Sequence, residues 1–491
     1  MEKLFENIIV SKSDNIPTYK LLIQGRWEEI TGEGSIDVIN PARDEIVGRV
    51  PVCDKKEVER SIDTARNGVN ITDFPPVKRL AVMGRAAELM EQNIDVISRT
   101  ITMENGKPII QARHEVETTV QRLRLVREEA RVLYGEYIPG EWVADTQGKF
   151  AIVQRNPIGV VAAISPFNYP LFIGAAKIIP ALVAGNAVVV KPASATPLSM
   201  ILFCRLLQEA GVPPAALQVV TGSGSEIGKI LTSSPHIDAI SFTGSTAAGH
   251  AIAGSAGMKK LHLELGGKAA AIVLEDADIE LAASQICKGT FKNSGQRCDA
   301  VSRVLVAKKV RNKFIEAVEE CSKQYTPGNP LDPETTMGPL IDMNALEKVD
   351  EKVNDAINNG ANIVVGGKYD ALFYEPTILD QVVPEMKIAT EEIFGPVMPV
   401  ISVENHEQAL EISNSSEYGL DSCLFTRDIN RALELAAKLQ DGSVTINAAP
   451  SHGSGHFPFG GNKKSGMGRE GLKYSIDELT RLHTIVVHQK L

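Results

Sequence analysis

Hydrophobic positions along the chain follow two periods, and the period changes mark its organisation. Residues 20–50, through "YKLLIQGRWEE" and "SIDVINPARDEIVGRVPV", read as strands and turns. Residues 54–135 turn to helical spacing. "KKEVERSIDTARNGV", "VKRLAVMGRAAELMEQNIDVISRTITMENG" and "HEVETTVQRLRLVREEARVLYG" carry apolar residues three and four apart among charges. From 150 onward strands and helices alternate. "KFAIVQRNPIGVVAAISP", "NAVVVKPA", "LQVVTG" and "IDAISFTGS" are strands, separated by helices such as "MILFCRLLQEAG", "GSEIGKILTSSP" and "TAAGHAIAGSAG". This alternation predicts a parallel sheet covered by helices on both faces, with ligands at the carboxyl ends of its strands. After "LHLELGGKAAAIVLEDAD" a second α/β segment begins. It has a helix over 279–293, a loop around Cys298, and strands in "SRVLVAKK", "ANIVVGG", "FYEPTIL", "PVMPVISV" and "SVTINAA". The tail "LTRLHTIVVHQKL" ends as a strand with nothing after it to pair with, which predicts that it completes another chain's sheet.

Residues 158–190 are apolar enough to imitate a membrane span. Pro166, Pro170 and Pro180 interrupt them, and Asn168 and Lys177 lie inside, so a strand–loop–helix–strand passage through a core is the better reading. The 491 residues suffice for about three domains. Hydrophobic residues make up 43% and charged residues 23%, an ordinary globular balance. The net charge of −10 argues against a nucleic-acid binder but leaves room for a local anion pocket. The six cysteines, Cys53, Cys204, Cys287, Cys298, Cys321 and Cys423, form no C-x-x-C, which points to a reducing, cytoplasmic setting. The N-terminus has no long apolar stretch of the kind a signal peptide carries.

Four stretches carry candidate chemistry. In "FKNSGQRCDA", Cys298 follows Arg297, whose charge favours a thiolate, and Gly295 permits close backbone approach. A buried inert thiol is the alternative. In "LELGGK", Glu264 ends an apolar strand, where burial raises a carboxylate's pKa and suits it to general-base work; pairing with a nearby cation is the alternative. In "SPFNYP", Asn168 sits between two prolines, and its amide can donate to an oxyanion or merely close a turn. In "VVVKPAS", Lys191 ends a buried strand, facing a cofactor or reaching solvent. "HEVET" and "HEQAL" lack the second histidine of H-E-x-x-H, and no G-x-S-x-G is present, so no metal is expected.

Taken in order, Asn168, Lys191, "FTGS" (242–245), Glu264, Cys298 and "EEIFGPV" (391–397) resemble the motifs of the aldehyde dehydrogenase superfamily. The resemblance runs from "INPARDEIVGRVP" to "PFGGNKKSGMGREG". "SPFNYP" with "NSGQRCDAVSRVLV" is most similar to non-phosphorylating glyceraldehyde-3-phosphate dehydrogenases, and "RLRL" and "GEYIPGEW" resemble archaeal members of that group. The resemblance implies that Cys298 attacks an aldehyde and that Asn168 and the Cys298 N–H hold the oxyanion. It further implies that Glu264 activates water against a thioester, and that Lys191 belongs to the same catalytic set. For the cofactor it implies Ile164, Ser165, Pro166, Phe167, Asn168, Lys191 and Ser194 on the adenosine side. Gly224, Phe242, Gly244, Ser245 and Leu265 would follow, with Glu392 on the nicotinamide ribose and Phe394 near the ring. "TGSGSEIG" is only loosely a dinucleotide fingerprint. Ser194 stands where NAD-preferring relatives carry a glutamate, so NADP is expected as preferred cofactor, with NAD possible.

For the substrate, the resemblance implies Asn168, Tyr169 and Arg297. His452 and His456 replace an arginine of the loop before "FPFGG" in some bacterial relatives. Arg122 and Arg124 could compensate, though a solvated helix face is the favoured reading for both. The implied activity is the glycolytic, irreversible oxidation of glyceraldehyde 3-phosphate to 3-phosphoglycerate. The alternatives are glyceraldehyde, lactaldehyde or another small aldehyde. Glu264 argues against a CoA-acylating variant, and the retained trio Asn168, Glu264 and Cys298 against a non-catalytic use of the fold. The expected architecture is α/β, with a Rossmann-like cofactor domain (1–135 and 156–266), a catalytic domain (267–460) and a small β arm (136–155 and 461–491) for a homo-oligomer, dimer or tetramer. No nucleic acid or membrane partner is expected.

Overall fold

A computed structural model describes residues 3–13, 16–30, 34–68 and 73–489; the first two and last two residues of the expected domain spans lie outside it, as does Val69 of the first helical stretch. The alternation from 150 onward builds a six-stranded sheet. Its spatial order is Leu217–Val219, Ala187–Lys191, Val160–Ile164, Ala239–Thr243, Lys260–Glu264 and Gly466–Met467. The first five strands are parallel. "VVAAI" and "AVVVK" are buried throughout, as strands covered on both faces must be. The chain starts at Val160–Ile164, winds outward to one side, then returns to Ala239–Thr243 on the other. That reversal opens a crevice at the carboxyl ends of these two strands.

A second sheet has seven strands: Asn362–Val365, Thr377–Asp380, Val397–Val403, Val301–Ala307, Ala269–Val273, Asp421–Phe425 and Ser443–Ile446. All are parallel except Asn362–Val365. Strand Lys260–Glu264 of the first sheet passes through "LGGK" into Ala269–Val273 of the second. The two sheets therefore meet where Glu264 stands. Helices Lys55–Gly68, Pro76–Gln92, Ile94–Asn105 and Ile109–Glu129 cover the cofactor-side core, with apolar faces at the predicted spacing.

The tail divides differently from the expected arm. Gly466–Met467 extends the first sheet beside Leu263 and Glu264, and Leu472, Ile476 and Leu479 pack into the cofactor-side core. Only Thr480–His488 joins the arm. It pairs along its whole length with Lys149–Pro157 of its own chain, which pairs in turn with Glu136–Pro139. The terminal strand thus finds its partner internally, and its outer edge is the edge of the three-stranded sheet. Among the described residues, no helix is long and apolar enough to cross a membrane.

Candidate active site

Helix Ile279–Phe291, capped by Asp278, runs into a tight turn, Lys292–Gly295. Asn293, Ser294 and Gly295 all take left-handed φ, at 53°, 55° and 72°. Such strain persists only where surroundings enforce it. Here Asn293 Nδ2 donates to Asn168 O at 3.1 Å, Ser294 Oγ to Gly338 O at 2.6 Å, and Ile341 N to Gln296 Oε1 at 2.9 Å. A Cβ on Gly295 would lie 2.1 Å from the Gly395 carbonyl oxygen, and one on Gly267 would lie 2.5 Å from that of Cys298. The loop is clamped, and Cys298 projects from it into a pocket.

Cys298 reaches solvent only through that pocket, while protein surrounds its thiol. Burial first, then the carboxylates of Asp299, Glu264 and Glu392, hold its pKa well above the ordinary thiol value. Arg297 acts the other way, as the sequence suggests, but is outweighed. Its Nε and Nη2 donate to the two oxygens of Asp299 at 3.0 and 2.8 Å. Burial opposes that guanidinium's charge and Asp299 more than restores it. These surroundings favour the protonated thiol.

Asn168 is buried beside it. Its Nδ2 donates to Gln296 O at 2.9 Å, which fixes the amide and leaves its second N–H. The backbone N–H of Cys298 meets no backbone acceptor among the described residues. Two donors therefore border the thiol. Glu264 is also buried; Oε1 lies 3.2 Å from His262 Nε2 and Oε2 has no partner. Burial, then Glu470, raises its pKa well above the carboxylate range, against Lys177 and Arg469. Its setting is thus a buried charged cluster rather than the apolar strand end that "LELGGK" suggests. Within that cluster Lys177 Nζ lies 3.5 Å from Glu470 Oε1.

The expected cofactor residues converge on the crevice. Ile164 and Phe242 end adjacent strands, paired in register. Ser165 N donates to Lys191 O at 3.2 Å, and Pro166 and Phe167 carry the chain onward to Asn168. Lys191 is buried with a single acceptor, Pro192 O at 3.3 Å, and burial lowers its pKa to about 8. Ser194 Oγ donates to Gly222 O at 3.0 Å, and Gly224 opens the turn beyond it. Ser245 caps helix Thr246–Ser255, whose first N–H groups form an anion-binding terminus next to Gly244. Leu265 packs against Gly249 of that helix. Glu392 Oε1 accepts from Gly267 N at 3.2 Å. Phe394, itself at φ 56°, sets its ring edge-on to Phe167 at 5.9 Å. The hydroxyls of Ser165 and Thr243 are buried without partners. The unpartnered hydroxyls of Ser165 and Thr243, with the N–H groups that Lys191 has left over, fit a polar cofactor in this crevice. Thr243 is absent from the set implied by the resemblance.

The pocket at Cys298 has a volume of about 550 Å³ and also meets Tyr169, Arg122, Lys292, Arg297 and His452. Tyr169 is fixed by Lys107, whose Nζ sits 3.6 Å from its ring centroid. Arg122 corrects the solvated-face reading. It is buried, lies 4.5 Å from the Phe172 ring centroid, donates from Nε to Ser454 O at 3.1 Å, and has no partner at Nη1. The signal was its place in the inward series Glu115, Thr119, Arg122 and Val126. Arg124 is on the outer face, paired with Glu91. His452 Nε2 lies 2.5 Å from Asp421 Oδ2; burial opposes its charge, but Asp421 raises its pKa. His456 is exposed and bonded to Glu129. Asp299, Asp421 and His452 come close enough to share an ion, yet Arg297 already takes both Asp299 oxygens.

The model of the aldehyde dehydrogenase family matches residues 27–485. The chain belongs to the aldehyde dehydrogenase family. It is 37% identical over 473 residues to 3-sulfolactaldehyde dehydrogenase from Priestia aryabhattai, covering 96% of this chain and 98% of that one. It is also 37% identical over 474 residues to lactaldehyde dehydrogenase from Methanococcus vannielii, covering 95% and 100%. Among solved structures it resembles the NADP-dependent glyceraldehyde-3-phosphate dehydrogenase from Bacillus halodurans complexed with NADP. The TM-score there is 0.93 with 41% identity, covering 96% of this chain and 99% of that one. The enzyme is an aldehyde-oxidising oxidoreductase.

Proposed function

We propose that the enzyme oxidises a three-carbon 2-hydroxyaldehyde bearing an anionic group on C3, with glyceraldehyde 3-phosphate going to 3-phosphoglycerate as the leading case. The carrying observation is the charge of the pocket. Arg297 with Asp299 and His452 with Asp421 are matched pairs. Arg122 is a buried guanidinium with an unsatisfied nitrogen, and Lys292 adds a second cation whose pKa burial lowers to about 8. Glu264 is held toward its neutral form. Glu115 and Glu470 also line the pocket, each facing a buried lysine, Lys107 and Lys177; Glu470 acts on Arg122 as well, and an anion of the substrate gives the unsatisfied Arg122 Nη1 a partner. Aldehydes named for the relatives, lactaldehyde, sulfolactaldehyde and glyceraldehyde 3-phosphate, share the 2-hydroxypropanal frame and differ at C3. A second reading, glyceraldehyde or lactaldehyde, is favoured by one specific fact: Arg297, expected to meet phosphate, is already paired with Asp299, and His452, which stands in for an arginine of some relatives, with Asp421.

Cys298 Sγ attacks the aldehyde carbon, and Asn168 Nδ2 and Cys298 N donate to the oxyanion. Lys191, Ser194, the Ser245 helix terminus and Glu392 would hold NADP, which would supply the hydride acceptor. The thioester stays on Cys298 until Glu264, deprotonated, draws a proton from water beside it. Ser194 and Lys191 favour a 2′-phosphate because neither repels it and one attracts it. The three-stranded sheet is the subunit contact. Cross-strand rows Tyr137–Ile152–Ile485 and Ile138–Ala151–Val486 expose apolar side chains on its two faces. Sedimentation velocity is expected to report a dimer or tetramer.

The test is kcat/KM for glyceraldehyde 3-phosphate, glyceraldehyde and lactaldehyde, each with NADP and NAD. A preference of about tenfold or more for the phosphorylated aldehyde, roughly 1.4 kcal/mol of transition-state discrimination, supports the leading reading. Loss of that preference in Arg122→Met ties it to the buried guanidinium. Equal or reversed preference selects the unphosphorylated reading.

A further inference from the structure

Two thiols outside the pocket lie together. Helix Ile279–Phe291 lines the pocket on one face through Gln285 and Lys288. Its opposite face packs on helix Arg311–Ser322. Across that contact Cys321 packs against the apolar cluster that holds Cys287. Cys287 is fully buried, and its sulfur also lies 3.7 Å from Val318 O, three residues before Cys321 on the same helix. Cys321 is partly open to solvent at the end of its helix. Tyr325 closes the far side, its ring 5.2 Å from that of Phe291. Cys53 and Cys204 are buried in the cofactor-side core, Cys423 is fully buried in the same apolar cluster as Cys287, and Cys298 is the nucleophile candidate. One accessible thiol beside one buried thiol is the arrangement of an attacking and a resolving cysteine.

We propose that Cys287 and Cys321 form a reversible disulfide that fastens the helix leading into the Cys298 loop to its neighbour. The oxidant is a peroxide. The Cys321 thiolate attacks one peroxide oxygen, the O–O bond breaks, and Cys321 becomes a sulfenic acid as hydroxide leaves. Cys287 sulfur then attacks Cys321 sulfur; the S–S bond forms, the S–O bond breaks, and water departs with the Cys287 proton. The two thiols lose two electrons and two protons, and hydrogen peroxide becomes two waters. A dithiol reductant reverses the step by exchange. The order of attack follows from exposure, since Cys321 is open to solvent and Cys287 is buried; the Cys287 thiol also lowers the Cys321 pKa, while burial opposes it. This inference is independent of which aldehyde is the substrate.

Activity is no readout, because peroxide also reaches Cys298. The experiment uses the full-length Cys298→Ser enzyme, treated with a small excess of hydrogen peroxide, alkylated, digested and mapped by mass spectrometry. The expected result is a peptide pair linked through Cys287 and Cys321, two hydrogens lighter than the separate peptides, lost on dithiothreitol. With Cys287→Ala added, Cys321 is expected to stop at sulfenic or higher acids. At neutral pH its alkylation by iodoacetamide slows about threefold, as a smaller thiolate fraction outweighs greater intrinsic nucleophilicity. The inference is overturned if both cysteines are recovered alkylated after peroxide, or if Cys321 over-oxidises equally with and without Cys287. It is equally overturned if Cys321 alkylates at the same rate in both proteins.

Discussion

Gly295→Ala perturbs the nucleophile loop at a single atom, and its consequence can be worked from the geometry. The position has φ 72°, a region that costs an alanine about 1 kcal/mol or more. The new Cβ would lie 2.1 Å from the Gly395 oxygen and 2.3 Å from its carbon. Ordinary non-bonded contact for such atoms is above about 3 Å, so the loop has to retreat by about 1 Å. Retreat is opposed by Asn293, Ser294 and Gln296, which anchor it to Asn168 O, Gly338 O and Ile341 N. The displacement is therefore passed to Cys298. A misplacement near 1 Å costs about 10²-fold in rate. The assay is NADPH formation at saturating cofactor, with Tm as the folding control and Gly84→Ala as the comparison, since a Cβ there meets nothing within 4 Å. The expected result is a folded Gly295→Ala protein with kcat/KM down about a hundredfold and Gly84→Ala near wild type. A folded Gly295→Ala enzyme within about threefold of wild type would refute the claim that this loop positions the nucleophile.

Asn168→Ala removes one of two oxyanion donors and is expected to lower kcat by about 10²–10³, measured by steady-state kinetics with Tm unchanged within a few degrees. The pH dependence follows from Glu264 and Cys298, both held above their ordinary pKa by burial. Each acts in its deprotonated form, so acylation and deacylation rates rise with pH through the raised values and fall in mildly acidic buffer. Stopped-flow measurement of the two half-reactions checks this, and a deacylation rate flat down to the ordinary carboxylate range would contradict it.

Much of this architecture is legible in the chain because its strands are buried on both faces and its helices on one. Runs such as "NAVVVKPA" and spacings such as those of 76–92 declare their environments directly. The candidate trio stands out in the sequence because Asn168, Glu264 and Cys298 each sit in a short stretch with its own conformational demand, met here by Pro166, Gly267 and Gly295. What escaped is pairing across long separations. Nothing near His452 in a one-dimensional reading says that Asp421 will meet it; Asp299 stands two positions from Arg297, and only the folded loop turns the two side chains onto each other. Lys177 reads only as a charge interrupting an apolar run, yet it faces Glu470, almost three hundred positions away in sequence, in the buried cluster around Glu264. Arg122 escaped because a long cation on an amphipathic helix usually reaches water, and only the loop that carries Ser454 closes over it. The tail is legible only in part: its last strand joins 149–157 within the expected arm, but nothing in the run marks Gly466–Met467 as an edge of the first sheet or Leu472, Ile476 and Leu479 as core.

The central claim is that Cys298 carries the acyl group and Glu264 releases it. The most direct measurement is a single-turnover experiment with Glu264→Gln enzyme, NADP and glyceraldehyde 3-phosphate, quenched in acid and mapped by mass spectrometry. The account predicts a burst of NADPH equal to the enzyme concentration and an acyl adduct on the Cys298 peptide that persists after the burst. Turnover at the wild-type rate, or an adduct on another residue, would contradict it.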